Sequence, residues 1–190
     1  MQAFGQMDGA PAARRAAKIL LPLLAGCTVS AALGVYGSVH DPSGQSIYSF
    51  VFTRTIVMKA WFATAAAALA VLQLVSALRL YGKIRIPREA PSWLGTAHRI
   101  SGTLAFLVAI PVAFHCLWAL GFQKTDARVL AHSVAGCFFF GALAAKVVVI
   151  EVKGLPGWWL PVAGGSLFSG LVVVWLTSAL WFFTHFGIQG

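Results

Sequence analysis

The chain is 190 residues long, 59% hydrophobic and only 10% charged, with a mean hydropathy of +0.82. That mix lies far from the usual globular one, and a soluble core of this size could not hide so much apolar surface. The net charge of +9 sits in short loops beside apolar runs and not along an exposed helix or ribbon, which argues against nucleic acid and for membrane topology.

A bilayer-spanning helix needs about 20 apolar residues at ~1.5 Å rise each. Five such runs follow one another, and they predict helices over about 18–39, 56–80, 97–120, 128–150 and 158–183. The fold class is therefore all-α integral membrane protein, a bundle of five transmembrane helices. Residues 1–17 read as a cytoplasmic N-terminal segment and 18–190 as a single transmembrane domain. Turn-forming stretches separate the runs: His40 to Gly44, Tyr81 to Gly95 with two prolines, Gly121 to Ala127, and Lys153 to Gly157.

The first run has a rival reading. Arg14-Arg15 ahead of apolar residues, then Leu24-Ala25-Gly26-Cys27, has the form of a lipoprotein signal. Mature lipoproteins usually turn polar after that cysteine, whereas Thr28 to Val39 stays apolar, so a retained helix is expected. Cys27, Cys116 and Cys137 all lie in apolar runs without metal-type spacing and read as small buried hydrophobes.

Orientation follows from the cations. With the N-terminus inside, Arg14, Arg15, Lys18, Arg79, Lys83, Arg85, Arg88, Arg99, Lys146 and Lys153 fall on the cytoplasmic side. Arg54, Lys59, Lys124 and Arg128 fall outside, so ten of the 14 basic residues are inside, and the positive-inside rule places the C-terminus out. Trp61, Trp118 and Trp181 then mark the outer interface, Trp158 and Trp159 the inner one. The stretch from Lys83 to Arg88 reads as a lipid-facing basic loop.

Ionisable residues are expensive inside a bilayer, so histidines in spanning helices are functional hypotheses by default. His115 lies near the end of the third helix and His132 near the start of the fourth. Because these helices read as antiparallel neighbours joined by a short loop, both imidazoles should sit at nearly one depth in the outer half, the geometry that clamps an iron between two rings. A haem b held so needs neutral imidazoles, a flat apolar slot and cations for its propionates. Gly136 removes bulk one turn beyond His132, and Arg128 and Lys124 are the cations at hand. Pro111, one turn before His115, removes a backbone hydrogen bond and is expected to kink the helix. Phe114, Phe138, Phe139 and Phe140 supply aromatic walls. Interhelical hydrogen bonding by the two histidines is the competing reading.

His98 lies 17 residues before His115, about 100° around the helix and ~25 Å along it, a poor match for a second haem between the same helices. With Arg99 it reads as an interfacial residue for lipid or quinone headgroups, a second haem being the alternative. His40 and His185 lie at outer helix ends and, with His115 and His132, permit a copper or zinc site or another haem pairing. Lys146 and Glu151 read as snorkelling side chains, and Gly141 with Ala145 and Ser166 with Gly170 as helix-packing positions.

The run Ala97-His98-Arg99-Ile100-Ser101-Gly102, then Pro111 to Cys116, then Arg128 to Ser133 and Gly136-Cys137, resembles a family of uncharacterised actinobacterial multi-pass membrane proteins. Leu155-Pro156-Gly157-Trp158 and Trp175-Leu176-Thr177-Ser178 extend the likeness, which reaches from about Trp93 to Trp181. More distantly the chain looks like the cytochrome b-561 and ferric-reductase-like membrane cytochromes. The first resemblance implies a bacterial plasma membrane; the second implies helix-borne histidine pairs that ligate haem b, and only His115 and His132 map onto such a pair.

The expectation is thus an electron-transfer subunit with one bis-histidine haem b near the outer face, since no nucleotide, flavin or iron–sulfur signature is present. Its partners would be membrane lipids, quinone, and a cytochrome or iron–sulfur protein, within a membrane complex. The rival from another class is a haem-free scaffold subunit or small transporter.

Overall fold

The computed structural model describes residues 9–46, 48–85 and 89–188. Arg88 and the side chains of Arg14 and Arg15, used above for orientation, lie outside the described residues. Five helices are long and apolar enough to cross a membrane, and the described residues contain no strand. They are α1 (Gly9–Val39), α2 (Thr55–Leu80), α3 (Leu94–Leu120), α4 (Ala127–Glu151) and α5 (Trp159–Phe186). The last turn of α3, Cys116–Leu120, and the stretch Leu176–Leu180 within α5 are π-helical.

α1 starts earlier than the apolar run because Ala10, Ala12 and Ala13 are strong helix formers and Pro11 falls in the first turn, where a missing N–H does no harm. The spanning part of it is Ala16–Val39. α3 starts a few residues before its expected position and runs through Pro111. α4 has a built start: the Asp126 carboxylate accepts the Val129 N–H at 2.9 Å, a side-chain cap on the positive end of the helix dipole.

The packing order is not the chain order. α4 lies between α1 and α5, α5 also meets α2, and α2 packs along α3. α3 and α4, expected to be neighbours, are not a packed pair; α3 reaches α1 through its π-helical last turn. Backbone bonds fix this. Phe122 N–H donates to Gly37 O at 2.6 Å and Gly44 N–H to Ala119 O at 2.9 Å, so the turn after α3 is tied to the end of α1. Gly121 makes the turn with φ 69°, and a Cβ there would come within 2.9 Å of Gly37 O.

Close helix approach uses small residues, as the spacing of Gly141 and Ala145 predicts. A Cβ on Gly26 of α1 would lie 3.0 Å from Gly141 O and 3.1 Å from Ala145 Cβ. A methyl on Gly141 would overlap Ser30 Oγ, whose hydroxyl donates to Cys137 O at 3.1 Å. Gly141→Ala is therefore expected to wedge α1 from α4 and lose about 1–3 kcal/mol, read as a lower melting temperature in detergent. An unchanged melt would mean that α1 does not seat here.

Candidate functional site

Because α3 stands off α4, the half of the bundle between the α1–α2 loop and the membrane centre encloses a cavity of about 660 Å³. That volume is within the ~300–1,000 Å³ of small-molecule and cofactor sites. Small residues on facing helices create it: Ala60, Ala63 and Ala66 of α2, Ala109 and Ala113 of α3, and Gly136 of α4. Cys116, Phe139, Phe140, Leu171 and Val174 complete a predominantly apolar wall. A Cβ built on Gly136 would meet nothing within 4 Å, so its missing side chain opens space.

His132 lines this cavity, partly buried. Its Nδ1 is 3.2 Å from Thr177 Oγ1 on α5, and the Val174 carbonyl of the same helix also meets the ring. Arg128, one turn earlier, also lines the cavity. It donates to Thr177 O at 2.7 Å, its guanidinium carbon lies 4.0 Å from the centre of the Trp181 ring, and Asp126 is 4.0 Å away. π-helical turns recur at functional sites, and both of those here contribute cavity wall.

His115 is placed differently. It is 5% exposed, and neither ring nitrogen has a hydrogen-bond partner. Its neighbour Cys116 reaches the cavity, while the His115 ring meets Tyr48 edge-on at 6.5 Å. Tyr48, from the α1–α2 loop, donates its hydroxyl to Pro111 O and so fastens that loop over the His115 end of α3. Burial first, then the nearby Cys116, pushes the Tyr48 phenol above its ordinary pKa, which keeps it a donor. A buried polar side chain without partners costs ~1–3 kcal/mol, so His115 carries an uncompensated cost among the described residues.

Lys59 of α2 bridges the two histidines electrostatically: its ammonium acts on His115, Cys116 and His132 alike, and the residue lines the cavity. Arg54 lines the same end. Three cations, Arg54, Lys59 and Arg128, thus line an apolar chamber, and Asp126 lies 4.0 Å from Arg128. The chamber suits a flat apolar ligand with a carboxylate or other anionic edge.

The remaining expected residues fall elsewhere. Lys124 is exposed in the α3–α4 loop and does not line the cavity, though its neighbours Gln123 and Thr125 do; Phe114 and Phe138 are exposed, and of the four expected phenylalanines Phe139 and Phe140 line it. His40 stacks on Tyr36 at 4.8 Å and faces Trp118 at 5.5 Å, with a buried Nδ1 that has no partner. His185 is exposed, its ring on Trp181 and its Nδ1 2.7 Å from Trp181 O. Trp158 is exposed, whereas Trp159 is buried against Val149 and Ala163.

At the opposite end, His98 belongs to a polar joint between α2 and α3: its Nδ1 is 2.7 Å from Ser76 Oγ, and Gln73 donates to Ser101 Oγ at 2.7 Å and to His98 O. Lys146 of α4 acts electrostatically on His98. Arg99 is exposed and reaches Thr96 Oγ1 at 3.3 Å. Among the described residues no group of three or more His, Cys, Asp or Glu forms a metal-binding cluster, so the four distal histidines do not meet.

Sequence reasoning missed Lys59, Arg54, Thr177 and Tyr48. Lys59 carried a usable signal, an ionisable residue inside an apolar run; the other three became visible only once the helices were arranged.

The chain belongs to a family of unknown function, DUF6529, whose model matches residues 19–190. No curated protein and no solved structure matches it.

Proposed function

For a chain whose family has no assigned activity, we propose that it is a membrane b-type cytochrome-like electron-transfer subunit, with His115 and His132 as the ligands of one haem b. We place it in a bacterial plasma membrane with its N-terminus inside and the cavity in the outer half. The observation that carries the reading is the cavity itself: an apolar chamber of about 660 Å³ with His132 on its wall, the unpartnered His115 beside it and cations at one end.

A bound haem b supplies one-electron transfer without a proton or substrate bond. The chain's own residues do the rest. His132 offers Nε2, His115 offers a ring nitrogen freed from every other bond, and Gly136 leaves room against α4. Lys59 and Arg128 would hold its carboxylates at the cationic end, and the alanine, phenylalanine and leucine wall would cover its apolar faces. Electrons would pass to quinone or to a cytochrome or iron–sulfur protein on the outer side.

Expression with ample haem, purification, and a dithionite-reduced minus oxidised spectrum test the proposal. A b-type band is the expected result, and a protein that stays colourless overturns it. Lys59→Met and Arg128→Met should each weaken haem retention by about tenfold, since a charge-assisted hydrogen bond is worth ~1.5–3 kcal/mol. Lys124→Met should leave retention unchanged.

A second reading is a haem-free scaffold whose cavity takes a quinone or an anionic lipid tail; the absence of His115 from the cavity wall favours it. Spectra without a band, together with quinone or fatty acid co-purifying in amounts that fall in Lys59→Met, would select it.

A further inference from the structure

We infer that Thr177 fixes the tautomer of His132, holding the proton on Nδ1 and leaving Nε2 as the lone-pair nitrogen available to a ligand in the cavity. The contact on the page is Nδ1 to Thr177 Oγ1 at 3.2 Å. A threonine hydroxyl has one proton, and a shorter contact uses it: Thr177 Oγ1 donates to Val173 O, one turn back, at 2.6 Å. Its oxygen therefore faces His132 as an acceptor, and the imidazole must supply the N–H.

The surroundings on α5 agree. The Val174 carbonyl, 3.2 Å from the same hydroxyl, also faces His132 and has no proton to give. From the other elements, the charged groups facing the ring are Lys59 of α2 and Arg128 of α4, both cations, and neither accepts a hydrogen bond. The acceptor at Nδ1, Thr177 Oγ1, is on α5, so the proton is held there. In a neutral imidazole that keeps its proton on Nδ1, Nε2 carries the lone pair.

Such a ring can bind a metal centre or accept a hydrogen bond, and the N–H on its far side makes it a more basic ligand. Thr177 is thus a positioning residue. It serves twice, because its backbone oxygen separately holds Arg128 at 2.7 Å. Thr177→Val removes only the hydroxyl and preserves that second contact.

The test is nitrogen NMR of the detergent-solubilised full chain with ¹⁵N-labelled histidine, His132 being assigned by its loss in His132→Gln. The wild type and Thr177→Ser should show the Nδ1–H tautomer at His132, and Thr177→Val should move the ring toward a mixture with Nε2–H. A wild-type ring protonated on Nε2, or a Thr177→Val spectrum identical to wild type, overturns the inference. A thermal melt of each variant separates this from unfolding.

A second readout rests on the haem proposal. In haem-loaded protein, Thr177→Val should raise the midpoint potential, because a less basic imidazole stabilises the ferric state less, while Thr177→Ser leaves it in place. If no haem binds, that proposal fails and the NMR result still decides this one.

Discussion

His115→Leu is expected to make the haem-free protein more stable and to abolish haem binding. Both ring nitrogens of His115 are buried without a hydrogen bond, at 5% exposure, on a helix that spans an apolar region. A buried unsatisfied polar group costs ~1–3 kcal/mol, and an apolar side chain of similar volume removes that cost while retaining packing against Tyr48. Protein produced without added haem should therefore melt several degrees higher as His115→Leu than as wild type. His115→Ala, which leaves a hole, should melt lower. Supplied with haem, neither variant should show the b-type band, and His132→Ala should lose it too. A His115→Leu protein that melts lower but keeps a full band would mean that His115 is a packing residue and not a ligand.

The same residue marks how far sequence reasoning reached. Five spanning helices were legible because 20-odd apolar residues have few other fates, and the ends missed by a few positions fell where alanine-rich or capped sequence sets the boundary. The places of His115 and His132 along their helices were legible for the same reason, the first at the end of the α-helical part of α3 and the second near the start of α4. Their pairing was not. A short α3–α4 loop argued for direct neighbours, yet the bonds from Phe122 to Gly37 and from Gly44 to Ala119 seat that loop on the end of α1. The resulting gap is the cavity, and no periodicity encodes it.

The electrostatic frame was half legible. Arg128 was found by its one-turn spacing from His132, and the structure places it on the cavity wall under Trp181. Lys124 was chosen for nearness in sequence and stands outside the wall, while Lys59, 73 residues from His132, acts on both histidines. Contacts of that sequence separation depend on which helices adjoin, which hydropathy does not report. The histidine left over at the opposite end fits this picture: Ser76 occupies His98 Nδ1, so the polar joint there closes α2 on α3.

Gly136→Phe should empty the site without unfolding the protein, and the contrast with Gly141 shows why. Both glycines are on α4, five residues apart in sequence, but they face different surroundings. A methyl on Gly141 would strike Ser30 of α1, whereas a Cβ on Gly136 meets nothing within 4 Å and points into open space. Replacing a helical glycine by alanine removes a conformational-entropy penalty of about 1 kcal/mol, so Gly136→Ala should melt slightly higher than wild type and still bind haem. A phenylalanine ring at the same position fills the chamber next to His132, burying apolar surface against Phe140 and the alanines of α2 and α3. Its melting temperature should equal or exceed that of wild type. Haem retention should fall by roughly a hundredfold or more, about 2.8 kcal/mol, because the ring stands where a macrocycle must lie. A folded Gly136→Phe protein with a wild-type band would move the ligand out of this cavity.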